Sequence, residues 1–251
     1  MRKLLAATAL CLATTPAFAL NVCVEGAYPP FSETASDGSI VGFDIDIANA
    51  ICEQIGDTCN LVKVDWDGII PALLEKKCDA IVASMSSTAE RKQVIDFTAK
   101  YYQVPNEFVG RADSGIDPAA PGGLDGKVVG AQRGTIHQAY VEKHYPGVQL
   151  TLYGSQDEAI LDLTSGRIDL IVGDAIQLEE GFVNTPAGEG YARIGEQFYD
   201  PEIHGEGAAI GVRKEDTELR DKLSAAILAI RDSGKYQEIE KKYFKIDIYG
   251  S

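Results

Sequence analysis

The stretch Asp67-Gly68-Ile69-Ile70-Pro71-Ala72-Leu73-Leu74-Glu75-Lys76-Lys77-Cys78-Asp79-Ala80-Ile81-Val82-Ala83-Ser84 reads as an amphipathic helix running through a short turn into a buried strand. Ile69, Ile70, Leu73 and Leu74 are the apolar residues of a helix predicted over 68–76, where Pro71 is tolerable only in the first turn. Residues 80–83 have the short, continuously apolar character of a strand covered on both faces. The unit returns ninety residues on. Asp67, Ile70, Leu73, Asp79, Ile81 and Val82 recur as Asp157, Ile160, Leu163, Asp169, Ile171 and Val172, and Lys77 recurs as Arg167.

The rest of the chain fits the same plan. Residues 21–25 and 61–64 read as strands and 44–55 as a helix, with Ile45, Ala48 and Cys52 on one face and Ile51 and Ile55 beside them. Residues 127–131 form another predicted strand. Near the end, 216–244 is helical, with Leu219, Leu223, Ile227 and Ile230 on one face, Asp216 or Thr217 as cap, and Gly234 as the break. Alternating strands and helices argue for parallel sheets with helical crossovers, here built twice as two α/β lobes. On the internal alignment Ser84 and Asp174 fall at matching strand ends, where open α/β sheets collect ligands. Two lobes presenting those ends to each other make a cleft.

Composition narrows the function. The 251 residues are 45% hydrophobic and 24% charged, which fits a folded chain. The net charge of −15 argues against a nucleic-acid partner. No apolar run reaches the roughly 18 residues that span a membrane. Arg2 and Lys3, the apolar residues 4–15 and Ala17-Phe18-Ala19 have the layout of a secretory signal peptide over 1–19. Leu10 before Cys11 argues against a lipid anchor. Cleavage after Ala19 removes Arg2 and Lys3, taking the charge from −15 to −17, and leaves Cys23, Cys52, Cys59 and Cys78. An even cysteine count in an exported chain suggests disulfides. Cys52 and Cys59 are close in sequence, whereas pairing Cys23 with Cys78 requires their strands to be neighbours. Zinc is disfavoured, since there is no C-x-x-C and only three histidines are present.

Four groups stand at strand ends and loops: Glu25, Tyr28 and Phe31; Asp65, Trp66 and Asp67; Ser84, Ser86, Ser87, Thr88 and Arg91; and Gln132, Arg133, Gly134, Thr135, Ile136 and His137. Asp67 reads first as a helix N-cap. Arg91 suits a bidentate carboxylate, and Asp174, in an apolar stretch, calls for a cation. Together they match the two charged ends of an α-amino acid. Catalytic signatures are missing: no G-x-S-x-G, H-E-x-x-H, phosphate loop or dinucleotide fingerprint occurs.

Gly42-Phe43-Asp44-Ile45-Asp46-Ile47-Ala48 followed by Ile51-Cys52, with the ending Lys241-Lys242-Tyr243-Phe244 and Tyr249-Gly250, resembles family 3 extracellular solute-binding proteins. The resemblance implies a type II periplasmic binding protein fold: lobe 1 from 20–104 and 208–251, lobe 2 from 105–207, and two hinge crossings near 103–106 and 199–207. By the same resemblance Arg91 matches the carboxylate-binding residue, Asp174 the ammonium-binding one, and Ser84 and Ser86 the main-chain contacts. Tyr28 and Trp66 match the aromatic sandwich, and Glu25 the acidic reader of a distal cation, replacing the aspartate of the lysine/arginine/ornithine-binding members. Gln132, Ile136 and His137 complete the ligand set. Ile136 stands where a hydroxyl residue is usual and His137 where a glutamine is usual. The Cys52–Cys59 bridge is also a feature of these relatives. A periplasmic receptor for a basic L-amino acid follows, a monomer without cofactor that delivers arginine, lysine, ornithine or histidine to an inner-membrane ABC permease. An opine receptor and a cyclohexadienyl dehydratase-like enzyme on the same fold are the alternatives.

Overall fold

The computed structural model describes residues 19–250, so residues 1–18, which hold most of the expected signal peptide, lie outside the described part. In chain order the elements are β1 (Ala19–Val24), β2 (Ala27–Tyr28), β3 (Ser32–Thr34), β4 (Ile40–Val41), α1 (Phe43–Gln54), β5 (Thr58–Lys63), α2 (Trp66–Leu74), β6 (Ala80–Ile81), β7 (Asp96–Tyr102), β8 (Asn106–Arg111), β9 (Val128–Gln132), α3 (Ile136–His144) and β10 (Gln149–Tyr153). They continue with α4 (Gln156–Thr164), β11 (Leu170–Asp174), α5 (Ala175–Leu178), β12 (Tyr191–Phe198), α6 (Pro201–His204), β13 (Ala208–Val212), α7 (Thr217–Asp232) and α8 (Lys235–Tyr243).

These strands make two five-stranded sheets, ordered β5-β1-β6-β13-β7 and β10-β9-β11-β8-β12, and a small sheet β2-β3-β4. Within the first sheet β5, β1 and β6 run parallel and β13 is antiparallel to both β6 and β7. In the second, β10, β9 and β11 run parallel and β8 is antiparallel to both β11 and β12. The chain passes between the sheets twice, after β7 and after β12. The ninety-residue echo is therefore structural: α2 and α4 both span nine residues at equivalent positions and both lead into the central strand of a sheet.

Alternation of side chains along each strand splits each core in two. Val22, Val24, Ile210 and Val212 face the cluster shared with Ile47 and Ile51 of α1 and Ile227 and Ile230 of α7. Cys23, Ile81 and Ala209 face Ile69 and Leu73 of α2. In the second sheet, Phe108, Val129 and Val172 pack with Val141 of α3, whereas Val109 and Ile171 pack with Ala159 and Leu163 of α4.

Helix α1 starts where Gly42 has φ +132°, and a Cβ there would lie 2.3 Å from the Phe31 carbonyl oxygen. Only glycine fits this approach. The N–H groups of Phe43 and Asp44 donate to the carbonyls of Pro30 and Phe31 at 3.0 and 2.8 Å, docking the loop that follows Tyr28 onto the helix start. Helix α4 opens with a full capping box between Ser155 and Glu158.

Helix α2 corrects two expectations. It starts at Trp66, with Asp65 in the N-cap position, so Pro71 lies inside the helix and not in its first turn. Asp67 is not the cap: its side chain instead pairs with Arg133. Both cysteine pairs are bridged, Cys23 to Cys78 and Cys52 to Cys59. The first is possible because β1 is the immediate neighbour of β6, which begins two residues after Cys78.

Candidate functional site

The carboxyl ends of the central parallel strands of both sheets face one cavity, with about 320 Å³ of space not filled by atoms. Glu25 follows β1, Ser84 follows β6, Gln132 ends β9 and Asp174 ends β11. All four line the cavity, as do Tyr28, Trp66, Ser86, Arg91, Ile136 and His137. All ten residues of the expected ligand set are thus in one place. Ala83 and Thr135 line it too; Ala83 was not picked out, and Thr135 stood in the fourth group but outside the ligand set. Thr135 had a legible signal, since it caps α3 by accepting from the Gln138 N–H.

Arg91, on the turn that follows β6, and Asp174, at the end of β11, both line the cavity. Arg91 donates to the carbonyls of Ser86 at 2.9 Å and of Gly134 at 3.0 Å, and its guanidinium carbon lies 5.1 Å from the centroid of the Trp66 ring. Burial pulls its pKa down to about 10. Among the described residues no carboxylate pairs with it within 4.0 Å, so its charge is met by carbonyl dipoles and a ring face. Asp174 is 7% exposed. The Tyr28 hydroxyl donates to its Oδ2 at 3.0 Å, and His137 Nε2 lies 3.2 Å from its Oδ1. Burial and the Asp174 charge push the Tyr28 hydroxyl well above its ordinary pKa, which keeps it a donor.

Glu25, which also lines the cavity, is 5% exposed. Gln132 Nε2 donates to its Oε1 at 2.6 Å and also to the Gly154 carbonyl at 3.1 Å. Burial raises the Glu25 carboxyl to about 7, against the lowering effect of Gln132, and the charges of Asp157, Asp65 and Asp67 add to the rise. A buried carboxylate in a negative field is stabilised by a cation. Tyr28 and Trp66 line the same cavity with aromatic rings.

The other sequence candidates have structural jobs. Phe31 is fully buried against Phe43, Tyr102 and Phe244. Ser87 donates to the Gly207 carbonyl, and the Thr88 hydroxyl accepts from the Arg91 N–H. Arg133 Nη1 reaches Asp67 Oδ2 at 2.8 Å, a contact between the loop after β9 and the first turn of α2 that no sequence pattern encodes. His144 pairs with Asp200 at 2.9 Å, and buried His204 accepts from the Asp200 N–H. Among the described residues no group of three or more histidine, cysteine or acidic side chains is placed to hold a metal ion.

Two lobes of like plan around a cavity lined with charged groups define a ligand-capture protein that closes on a small solute. The chain belongs to the bacterial extracellular solute-binding proteins, family 3, whose model matches residues 20–246. It is 46% identical to the L-arginine-binding protein of Pseudomonas aeruginosa and 38% identical to the histidine-binding periplasmic protein of Escherichia coli K12, with both chains of each pair covered in full. Among solved structures, an arginine-specific periplasmic binding protein of Salmonella typhimurium superposes with a TM-score of 0.84 at 32% identity, covering 91% of this chain and 100% of that one. A Silicibacter pomeroyi periplasmic His/Glu/Gln/Arg/opine family-binding protein in complex with lysine gives 0.81 at 32% identity, covering 92% and 100%.

Proposed function

We propose that this chain is the periplasmic receptor of an ABC importer and captures a basic L-amino acid, arginine first. One observation carries the ligand class: a single cavity is lined by Arg91, Asp174, the rings of Tyr28 and Trp66, and a Glu25 carboxyl raised to about 7. In this reading Arg91 takes the α-carboxylate. Asp174 and Ser84 take the α-ammonium, and Ser86 and Ile136 make main-chain contacts. The stem lies between Tyr28 and Trp66, Glu25 with Gln132 reads the distal cation, and His137 fixes Asp174. Arginine leads because a planar guanidinium both stacks and forks its hydrogen bonds.

Capture proceeds by closure of a lobe of residues 20–104 and 208–251 on a lobe of 105–207, about the two crossings. The ligand is released unchanged to an inner-membrane permease that docks the closed monomer. Signal peptide 1–19 directs the chain to the periplasm.

The test is isothermal titration of refolded, ligand-stripped protein with arginine, lysine, ornithine, histidine, glutamine and octopine. Micromolar or tighter binding of a basic amino acid supports the reading. Binding of octopine alone moves the assignment to an opine, and silence across the panel overturns it.

A further inference from the structure

Asp44 is wholly buried, at 0% exposure, and touches neither solvent nor the cavity. Its Oδ2 accepts from the Ser84 hydroxyl at 3.0 Å, and its Oδ1 has no hydrogen-bond partner among the described residues. Ser84 stands at the cavity wall with φ +53°, a left-handed conformation that is uncommon for a non-glycine residue. Two contacts hold it there: the bond to Asp44, and its N–H donating to the hydroxyl of buried Tyr101 at 3.0 Å. A conformation of this kind persists where the surroundings over-determine it, and such positions cluster at ligand sites.

A serine hydroxyl has one proton to give. Given to Asp44, it leaves only oxygen lone pairs directed elsewhere, and the cavity is where Ser84 is open. We infer that Asp44 is a positioning residue that makes Ser84 a hydrogen-bond acceptor toward the cavity, and so selects an α-ammonium over an α-hydroxyl or α-keto group. A protonated or amide side chain at position 44 donates to Ser84 instead, turns the hydroxyl proton outward and reverses its polarity. Burial raises the Asp44 carboxyl to about 7, with the Asp174 charge adding to the rise and Ser84 and Tyr101 opposing it, so the reversal falls in an accessible pH range. The groups facing this pair are Tyr101 from β7, Asp174 across the cleft, and Arg91 and His137 around the cavity. On the outer side of α1, Asp46 is engaged by Lys242 and Tyr243. The inference rests on the amino-acid reading of the cavity.

The experiment is a titration cycle of the wild type, Asp44→Asn, Ser84→Ala and the double variant against arginine and its α-hydroxy analogue, 2-hydroxy-5-guanidinopentanoate. Asp44→Asn weakens arginine about 30-fold and the hydroxy analogue less than about 3-fold, because a hydroxyl can accept as well as donate. In the Ser84→Ala background the same substitution changes either affinity by less than about 3-fold. Equal losses for the two ligands, or an undiminished loss without Ser84, mean that Asp44 only supports the fold and overturn the inference. If Asp44→Asn does not fold, the wild type carries the test. Its preference for arginine over the hydroxy analogue narrows from pH 8 to pH 5, and the narrowing shrinks in Ser84→Ala; an unchanged narrowing in that variant assigns it to Asp174 or His137 and overturns the inference. A wild type that binds no amino acid overturns the reading of the cavity instead.

Discussion

Sheet β5-β1-β6-β13-β7 and sheet β10-β9-β11-β8-β12 share strand order and direction, yet are held together differently. Both disulfides belong to the first: Cys23–Cys78 ties β1 to the approach of β6, and Cys52–Cys59 ties α1 to β5. The second carries none among its described residues, and it too buries polar side chains. Asn106, Glu107, Gln156 and Gln177 are all at 0% exposure, each with at least one side-chain atom lacking a hydrogen-bond partner among the described residues. Burial holds the Glu107 carboxyl up at about 7. One plan is therefore stapled covalently in one copy and not in the other, while both bury polar groups, Asp44 and Glu240 in the first and these four in the second. The matched strand ends also diverge, into a neutral Ser84 backed by a hidden carboxylate and an Asp174 that presents its carboxylate directly.

Removing the staple tests the contrast most strongly. The Cys23–Cys78 bridge closes a separation of 55 residues, against 7 for Cys52–Cys59. By the chain-entropy estimate these are worth about 4 and about 2 kcal/mol. Cys23→Ala with Cys78→Ala is expected to lower unfolding free energy by about 4 kcal/mol in denaturant. Hydrogen exchange is expected to place the loss in the first sheet and leave the second protected. A loss spread evenly over both sheets means that the two halves unfold as one unit and the contrast has no energetic content.

The next effect is on binding. Arg91 comes from the first half and Asp174 from the second, so each is expected to hold one charge of the same α-amino acid. Truncating one partner of a buried charge pair costs about 3 kcal/mol. Arg91→Ala and Asp174→Asn are each expected to weaken arginine about 100-fold by titration calorimetry. Near-native affinity in Arg91→Ala removes the carboxylate assignment.

Glu25 is expected to contribute about 2 kcal/mol, the scale of a hydrogen bond to a charged group. Glu25→Gln should weaken arginine accordingly and leave glutamine nearly unchanged; an equal loss for both means that Glu25 does not read the side chain. Its pH sign follows from the rise to about 7. An acid raised on folding binds more protons in the folded state, so the ligand-free protein loses stability as pH rises from about 4.5 to about 7. Arginine binding stabilises the carboxylate and expels the proton, so affinity falls as pH drops below about 7. Calorimetry in buffers of different ionisation heat should register this release for arginine but not for glutamine, and not in Glu25→Gln. Any release that Asp44 contributes accompanies both ligands, which separates the two carboxyls.

Much of this was legible before any coordinates. The repeat 67–84 against 157–174 located equivalent helices and strands, because amphipathic period and buried apolar runs are local signals. Ten of the twelve cavity residues were legible through strand-end positions and the family resemblance. Three things were not. The start of α2 was misplaced because Pro71 argued for a first turn, whereas packing of Ile69 and Leu73 extends the helix back to Trp66 despite the missing N–H. The Asp44–Ser84 bond and the Arg133–Asp67 pair join residues 40 and 66 apart, and no periodicity encodes such contacts. Asp44 in particular hides inside an amphipathic helix as one more first-turn acid, the place where the helix dipole alone accounts for it.

The smallest expected effect concerns the Arg133–Asp67 pair, which joins the loop after β9 to the first turn of α2. Arg133 and Asp67 are about half exposed, at 51% and 47%, so solvent screens them and the pair is worth at most about 1 kcal/mol. Asp67 is also one of the acids whose charge raises Glu25, so removing Arg133 leaves that field uncompensated. Arg133→Ala is accordingly expected to do two opposed things. It loosens the contact that holds the halves together, and it strengthens the pull on a distal cation. For arginine the terms offset, and affinity should change less than about 3-fold; for glutamine, which gains nothing from the field, only the loss remains. Stopped-flow measurement should show faster release of glutamine and a steeper salt dependence of arginine association. Equal acceleration of release for both ligands would mean that Arg133 is a latch alone, and that charge selection at the Glu25 end belongs entirely to the first half.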